Sequence, residues 1–194
     1  FNFKVEKPFD SNNYDDLKTH QPFFAEIQIL EPHRGSWKPG EAPGFRVNPD
    51  KVKLPPYYPD TPAVREDWAR YLSTINYLDT KVGKILERLE QDGLAANTIV
   101  FFFSDNGRCH VRDKQWPYEG GLHIPLIVRP PSPGVGVAGW PGKIKAGTVK
   151  VDLVSSIDIS ATSLKLAGAN LPKNMQGQIF LGEDAPCYTG LIRD

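Results

Sequence analysis

Cysteine is scarce in this chain: Cys109 and Cys187 are the two present among 194 residues. They lie far apart and form no C-x-x-C pattern, which argues for neither a zinc site nor a disulfide framework. Net charge is absent as well, with 23 basic residues against 23 acidic ones. That balance removes any global field drawing the protein to nucleic acid or to an acidic membrane, so a charged ligand has to be caught by a local site. No apolar run approaches the roughly 20 residues of a membrane span. The opening FNFKVEKPFD carries no signal-peptide pattern, and no internal repeat or low-complexity tract occurs.

What is present is enough for one substantial domain with a core. Residues 1–22 are polar, with DSNNYDD reading as a loop. PFFAEIQIL at 22–30 is β-branched and aromatic and predicts a strand ending at EPHRG. Residues 31–60 are rich in proline and punctuated by glycine, which forbids a helix and disfavours a sheet interior. Thr61 then offers an N-cap, Pro62 a first helical position and Gly93 a stop. Between them Trp68, Tyr71, Leu72, Ile75, Leu78, Val82, Ile85, Leu86 and Leu89 recur at three- and four-residue steps, predicting a long helix with a break near Gly83. A short turn leads into IVFFF, expected to be a strand buried on both faces of a parallel sheet. IPLIVRPP at 124–131 predicts a further strand, and 131–147 a Gly/Pro-rich loop. TVKVDLVS reads as a β-type segment and SIDISATSLKLAG as a helix ending near Gly168, before an irregular tail.

In open α/β sheets ligands bind just beyond the carboxyl ends of strands. Asp105 and Asn106 stand at such an edge in TIVFFFSDNG, and Gly107 allows a sharp turn after them. A carboxylate and an amide oxygen suit Ca²⁺ or Mg²⁺ better than zinc; Asp, Asn and Gly are equally the residues that turns prefer. His33 ends the first predicted strand, where an imidazole serves as a general acid or donates to an anion, or is simply a surface histidine beside a proline. CHVRDKQWPYEGG brings His110, Arg112 and Lys114 close to the Gly120-Gly121 pair. Such a cluster suits an anionic group at close range, and solvated loop charges explain it as well.

The succession YLSTINYLDTKVGKILERLEQDGLAANTIVFFFSDNG, KQWPYEGGLHIPLIVRPP and VDLVSSIDISATSLKLAG resembles the sulfatases, of the alkaline-phosphatase-like superfamily, over about residues 22–181. EPHR and the proline-rich stretch after it are most similar to the branch that includes heparan N-sulfatase. The resemblance implies an α/β, partial alkaline-phosphatase-like fold with a mostly parallel sheet flanked by helices. It makes residues 1–194 a single incomplete catalytic domain. By the same resemblance, Asp105 and Asn106 help to hold a calcium ion, and Lys114 binds a sulfate oxygen and stabilises charge in the transition state. His33 contacts the sulfate and is placed to protonate the leaving atom. Arg34 is implied to bind substrate, and His110 lies near enough to join it. His123 stands where many relatives carry arginine and is not assigned. Chemically the set is coherent: sulfuryl transfer spreads negative charge over oxygens, which a divalent cation and a lysine oppose.

Two family features are missing from these residues. The formylglycine nucleophile is made from the cysteine or serine of a C/S-x-P-x-R motif, and none occurs here. In the family the early Asp-Asp pair that supplies further calcium ligands, like that motif, lies upstream of this segment. The expectation is therefore the middle portion of a sulfatase acting on sulfate esters or sulfamates, with a sulfated small molecule or glycan as substrate. As an isolated chain it is expected to be inactive and to self-associate through exposed apolar edges. The alternatives are a non-catalytic remnant that binds sulfated sugars, or a related phosphoesterase. Relatives are commonly periplasmic, extracellular or lysosomal, and nothing in the chain shows an address.

Overall fold

Thr61 and Pro62 start the longest element. The Thr61 hydroxyl accepts from the Val64 amide at 3.4 Å, and Pro62, which has no N–H to orphan, opens helix α1, Pro62–Gln91. Gly93 closes it: at φ +72° its amide donates to Glu90, and the Leu94 amide reaches back to Leu89 at 3.0 Å, satisfying carbonyls the helix leaves open. The helix runs through Gly83 without the expected break, because nothing packs there to demand one. The computed structural model describes residues 6–133 and 147–181. The chain divides into two compact units, Phe1–Leu94 and Ala95–Asp194.

In the first unit the proline-rich stretch forms no α-helix or strand, as its composition requires, but short 3-10 turns at Arg34–Ser36, Lys38–Glu41 and Pro49–Lys51. It docks on α1. Val52, Trp68 and Ala69 form a buried apolar cluster with Val47, Leu54, Tyr58 and Leu72 against it. Polar residues of α1 hold the loop backbone, whose carbonyls and amides have no ladder to pair with. Ser73 Oγ accepts from the Val47 amide at 2.9 Å, and Asn76 donates to the Phe45 carbonyl at 3.0 Å. The Arg65 guanidinium reaches the carbonyls of Pro49, Asp50 and Val52 while pairing with Asp60.

The second unit holds strands β1, Val100–Phe103, and β2, Leu126–Arg129, the short helix α2, Glu119–Leu122, and helix α3, Ser156–Leu166. The strands pair antiparallel, Phe101 opposite Val128 and Phe103 opposite Leu126. This corrects the parallel arrangement expected around IVFFF. The chain between the strands is a loop cluster with one short helical turn rather than a crossover helix, so it returns the other way. Burial on both faces is corrected too. Phe101, Leu126 and Val128 pack on Leu166, Phe180 and Leu181, whereas Ile127 on the opposite face is 59% exposed, and Phe103 at the end of β1 is 44% exposed even on the packed face.

Helix α3 starts at a reciprocal capping box between Ser155 and Asp158. The buried Asp158 also accepts from the Gln178 amide at 2.7 Å, and Thr162 accepts from Phe180 at 3.1 Å, so α3 fixes the chain that follows it. Among the described residues no strand forms across 22–30 or 148–155. Neither segment joins a backbone ladder there. Most of the loop expected at 131–147, and the end of the irregular tail, lie outside the described residues.

Candidate active site

The loop after β1 is built on its own polar groups. Ser104 Oγ donates to the Asn106 carbonyl at 2.7 Å, and the Asn106 amide nitrogen donates to the Gly107 carbonyl at 3.0 Å. With its nitrogen engaged, Asn106 keeps its side-chain oxygen for another partner. Asp105 is exposed, and among the described residues no group bonds to its carboxylate. These are the two hard oxygen donors expected from the sequence, and their chemistry fits a calcium or magnesium ion. They do not make a complete site: among the described residues no three His, Cys, Asp or Glu side chains gather to hold a metal.

This loop is locked to the one that carries Lys114. Gly107 is buried so closely against Gly120 and Gly121 that a Cβ there would overlap the Gly120 carbonyl oxygen and the Gly121 Cα. Gly120 in turn leaves room for the carboxylate of Asp113, which is wholly buried. Asp113 receives a two-pronged bond from Arg108, Nε at 2.9 Å and a terminal nitrogen at 3.0 Å. The Lys114 amide donates to the Arg108 carbonyl at 2.9 Å, closing the loop. Arg112 and Gln115 have φ of 67° and 72°, conformations that side-chain-bearing residues adopt at a cost and that surrounding bonds must enforce. Between them Lys114 is half-buried, and among the described residues no carboxylate pairs with its ammonium. The result is a cation held by its backbone and left available.

His110 is half-buried in the same loop, with Nδ1 4.0 Å from the Cys109 sulfur. His123 bonds to Glu119 across one turn of the exposed α2. The structure thus brings Asp105, Asn106, His110 and Lys114 into one loop cluster. His33 and Arg34 belong to the first unit. There the Gly35 amide donates to His33 Nδ1 at 3.2 Å, which places the proton of the neutral ring on Nε2 and leaves that nitrogen as a donor. Arg34 makes a two-pronged bond to Asp67 at 2.7 and 2.9 Å and stacks 4.4 Å from the Trp37 ring, so its plane is fixed on α1. A cleft of about 680 Å³ in this unit, with Arg46, Arg70, Glu41 and Glu66 among its walls, includes none of the residues singled out from the sequence. Sequence reasoning passed over Arg108 and Asp113. The signal was an acid and a base five residues apart inside a glycine-bounded loop.

The sulfatase family model matches residues 11–169. The chain belongs to the sulfatase family. It is 36% identical over 143 residues to an ulvan-active sulfatase of Formosa agariphila, covering 74% of this chain and 22% of the relative. Over 118 residues it is 39% identical to the N-acetylgalactosamine-6-sulfatase of Mus musculus, covering 54% of this chain and 21% of that protein. To an endo-4-O-sulfatase of Bacteroides thetaiotaomicron it is 32% identical over 177 residues, covering 84% of this chain and 32% of the relative. This sulfatase chain therefore spans between about a fifth and a third of the length of these curated relatives. Membership also carries the α/β, alkaline-phosphatase-like fold class expected from the sequence.

Proposed function

We propose that the chain supplies the calcium and sulfate side of a sulfatase active site, for hydrolysis of sulfate esters or sulfamates on sugars. The observation that carries this reading is the interlock of the Asp105–Asn106 loop with the Lys114 loop through Gly107, Gly120 and Gly121. Asp105 and Asn106 would hold the cation, with further ligands from residues beyond these 194. Bound there, a divalent ion supplies positive charge to oppose the charge growing on the sulfuryl oxygens. Lys114 does the same from its fixed backbone, at no reorganisation cost during reaction. His33 donates from Nε2 to a sulfate oxygen. Its acid role requires a second proton on Nδ1 and hence release of the Gly35 bond. Arg34, oriented by Asp67, and His110 are each assigned an anion contact from their motif positions. The nucleophile is assigned to a formylglycine outside these residues, because no C/S-x-P-x-R occurs among them.

The relatives' printed substrates support a sulfated glycan; the EPHR likeness keeps sulfamates within the class.

The test is sulfate release from sulfated monosaccharides by the whole protein that carries this chain, with and without a calcium chelator. Calcium-dependent release is expected. Preferential hydrolysis of phosphate esters with zinc would overturn the reading in favour of a phosphoesterase. Binding without any release by the whole protein would leave the non-catalytic alternative.

A further inference from the structure

We propose that Trp116 and Tyr118 form a platform against which the sugar ring of the substrate stacks while Lys114 holds its sulfate. This rests on the sulfate-binding reading of Lys114 and names the part of the ligand that reading leaves open.

The two rings lie nearly parallel, 6.3 Å apart at 22°, and are 55% and 45% exposed. Neither joins the apolar core around Leu166, Phe180 and Leu181. Large aromatic rings left half in water forgo the burial that normally stabilises a fold. A loose loop could turn them inward; this one is held. The Trp116 amide donates to the buried Asp113 at 3.1 Å, and the Tyr118 carbonyl accepts from Gly121 and Leu122 at 2.8 and 3.0 Å. Gly121 has no side chain because the Trp116 carbonyl occupies that space. Pro117, between the rings, restricts the backbone further. The display is therefore built in by the same bonds that fix Lys114.

Position and charge select the occupant. Two residues of chain span at most about 7 Å, so Trp116 starts within a sugar ring's width of Lys114. The Arg112 guanidinium lies over the Tyr118 ring, 4.4 Å from its centre, so it covers one face of Tyr118 and sets a second cation at the edge of the surface that remains open. A pyranose offers a C–H face to an aromatic ring and carries its sulfate at the rim. An anionic sugar thus meets an apolar surface and a cation on one rigid loop.

The test is NMR titration of the protein, in calcium-containing buffer, with inorganic sulfate, N-acetylgalactosamine and N-acetylgalactosamine 6-sulfate. Trp116→Ala identifies the Trp116 indole N–H signal. The sulfated sugar should shift that signal and bind about tenfold more weakly to Trp116→Ala, while affinity for inorganic sulfate stays the same. Trp116→Phe, which keeps a ring, should restore most of the loss. Equal affinity of the sulfated sugar for native protein and Trp116→Ala overturns the platform and leaves the Lys114 reading standing. Inorganic sulfate that does not bind, or that binds Lys114→Ala equally well, overturns that reading and the platform with it.

Discussion

Removing the Asp113 carboxylate would leave Arg108 facing a dry pocket with its fork of donors unmatched. Breaking one side of a buried pair costs about 3–5 kcal/mol, and because Arg108 is 34% exposed the expected loss for Asp113→Ala is at or below the lower end of that range. Urea unfolding measures it; an unchanged midpoint would show that Asp113 does not hold the loop. Lys114→Ala is a different kind of change. Its ammonium pairs with no carboxylate among the described residues, so stability should hold while kcat of the whole enzyme falls about 10²- to 10³-fold. Near-normal turnover would remove Lys114 from the sulfate site. The contrast shows what was legible. Asp105, Asn106 and Lys114 stood out as a ligand pair and a cation at motif positions. Asp113, one residue from Lys114, looked like a loop charge, because its burial depends on glycines seven and eight residues further on.

At the scale of elements, both ends of helix α1 were readable because their signals are local, a cap, a proline and a glycine, whereas the break expected near Gly83 did not form. Nor did the three-four apolar rhythm mark Ser73 and Thr74, which are buried because the proline-rich stretch packs over them. The strands depended on partners that no local pattern names, so 22–30 had the composition of a strand without forming one. The docking of the proline-rich stretch gives a pH prediction. The hydrogen bond from Arg65 holds the Asp60 carboxyl below the usual carboxylate range. A carboxyl whose folded value is depressed adds stability above its unfolded value, near 3.9, and that contribution is lost as pH falls through the folded value. Native protein should therefore lose stability below about pH 4 more steeply than Asp60→Asn. Parallel urea midpoints of the two proteins from pH 6 to pH 3 would contradict this.

For the whole molecule, the same apolar segments that failed to become strands predict how the chain behaves in solution. Phe24 and Leu30 are each 71% exposed in the first unit, and Val149 and Val151 are 87% and 92% exposed in the second. Apolar side chains left exposed on segments that join no sheet among the described residues offer a surface for association with another copy. A net charge of zero supplies no repulsion to oppose it. The 194-residue chain should sediment as a concentration-dependent mixture of species rather than one monomer. Replacing Val149 and Val151 by lysine should shift the mixture towards monomer, since charge at those positions opposes apolar contact between copies. Salt separates the causes: apolar association persists or strengthens in sulfate, whereas charge pairing weakens. A single monomeric species at high concentration would mean that these segments are covered in solution, and the search would turn to which part of the chain covers them.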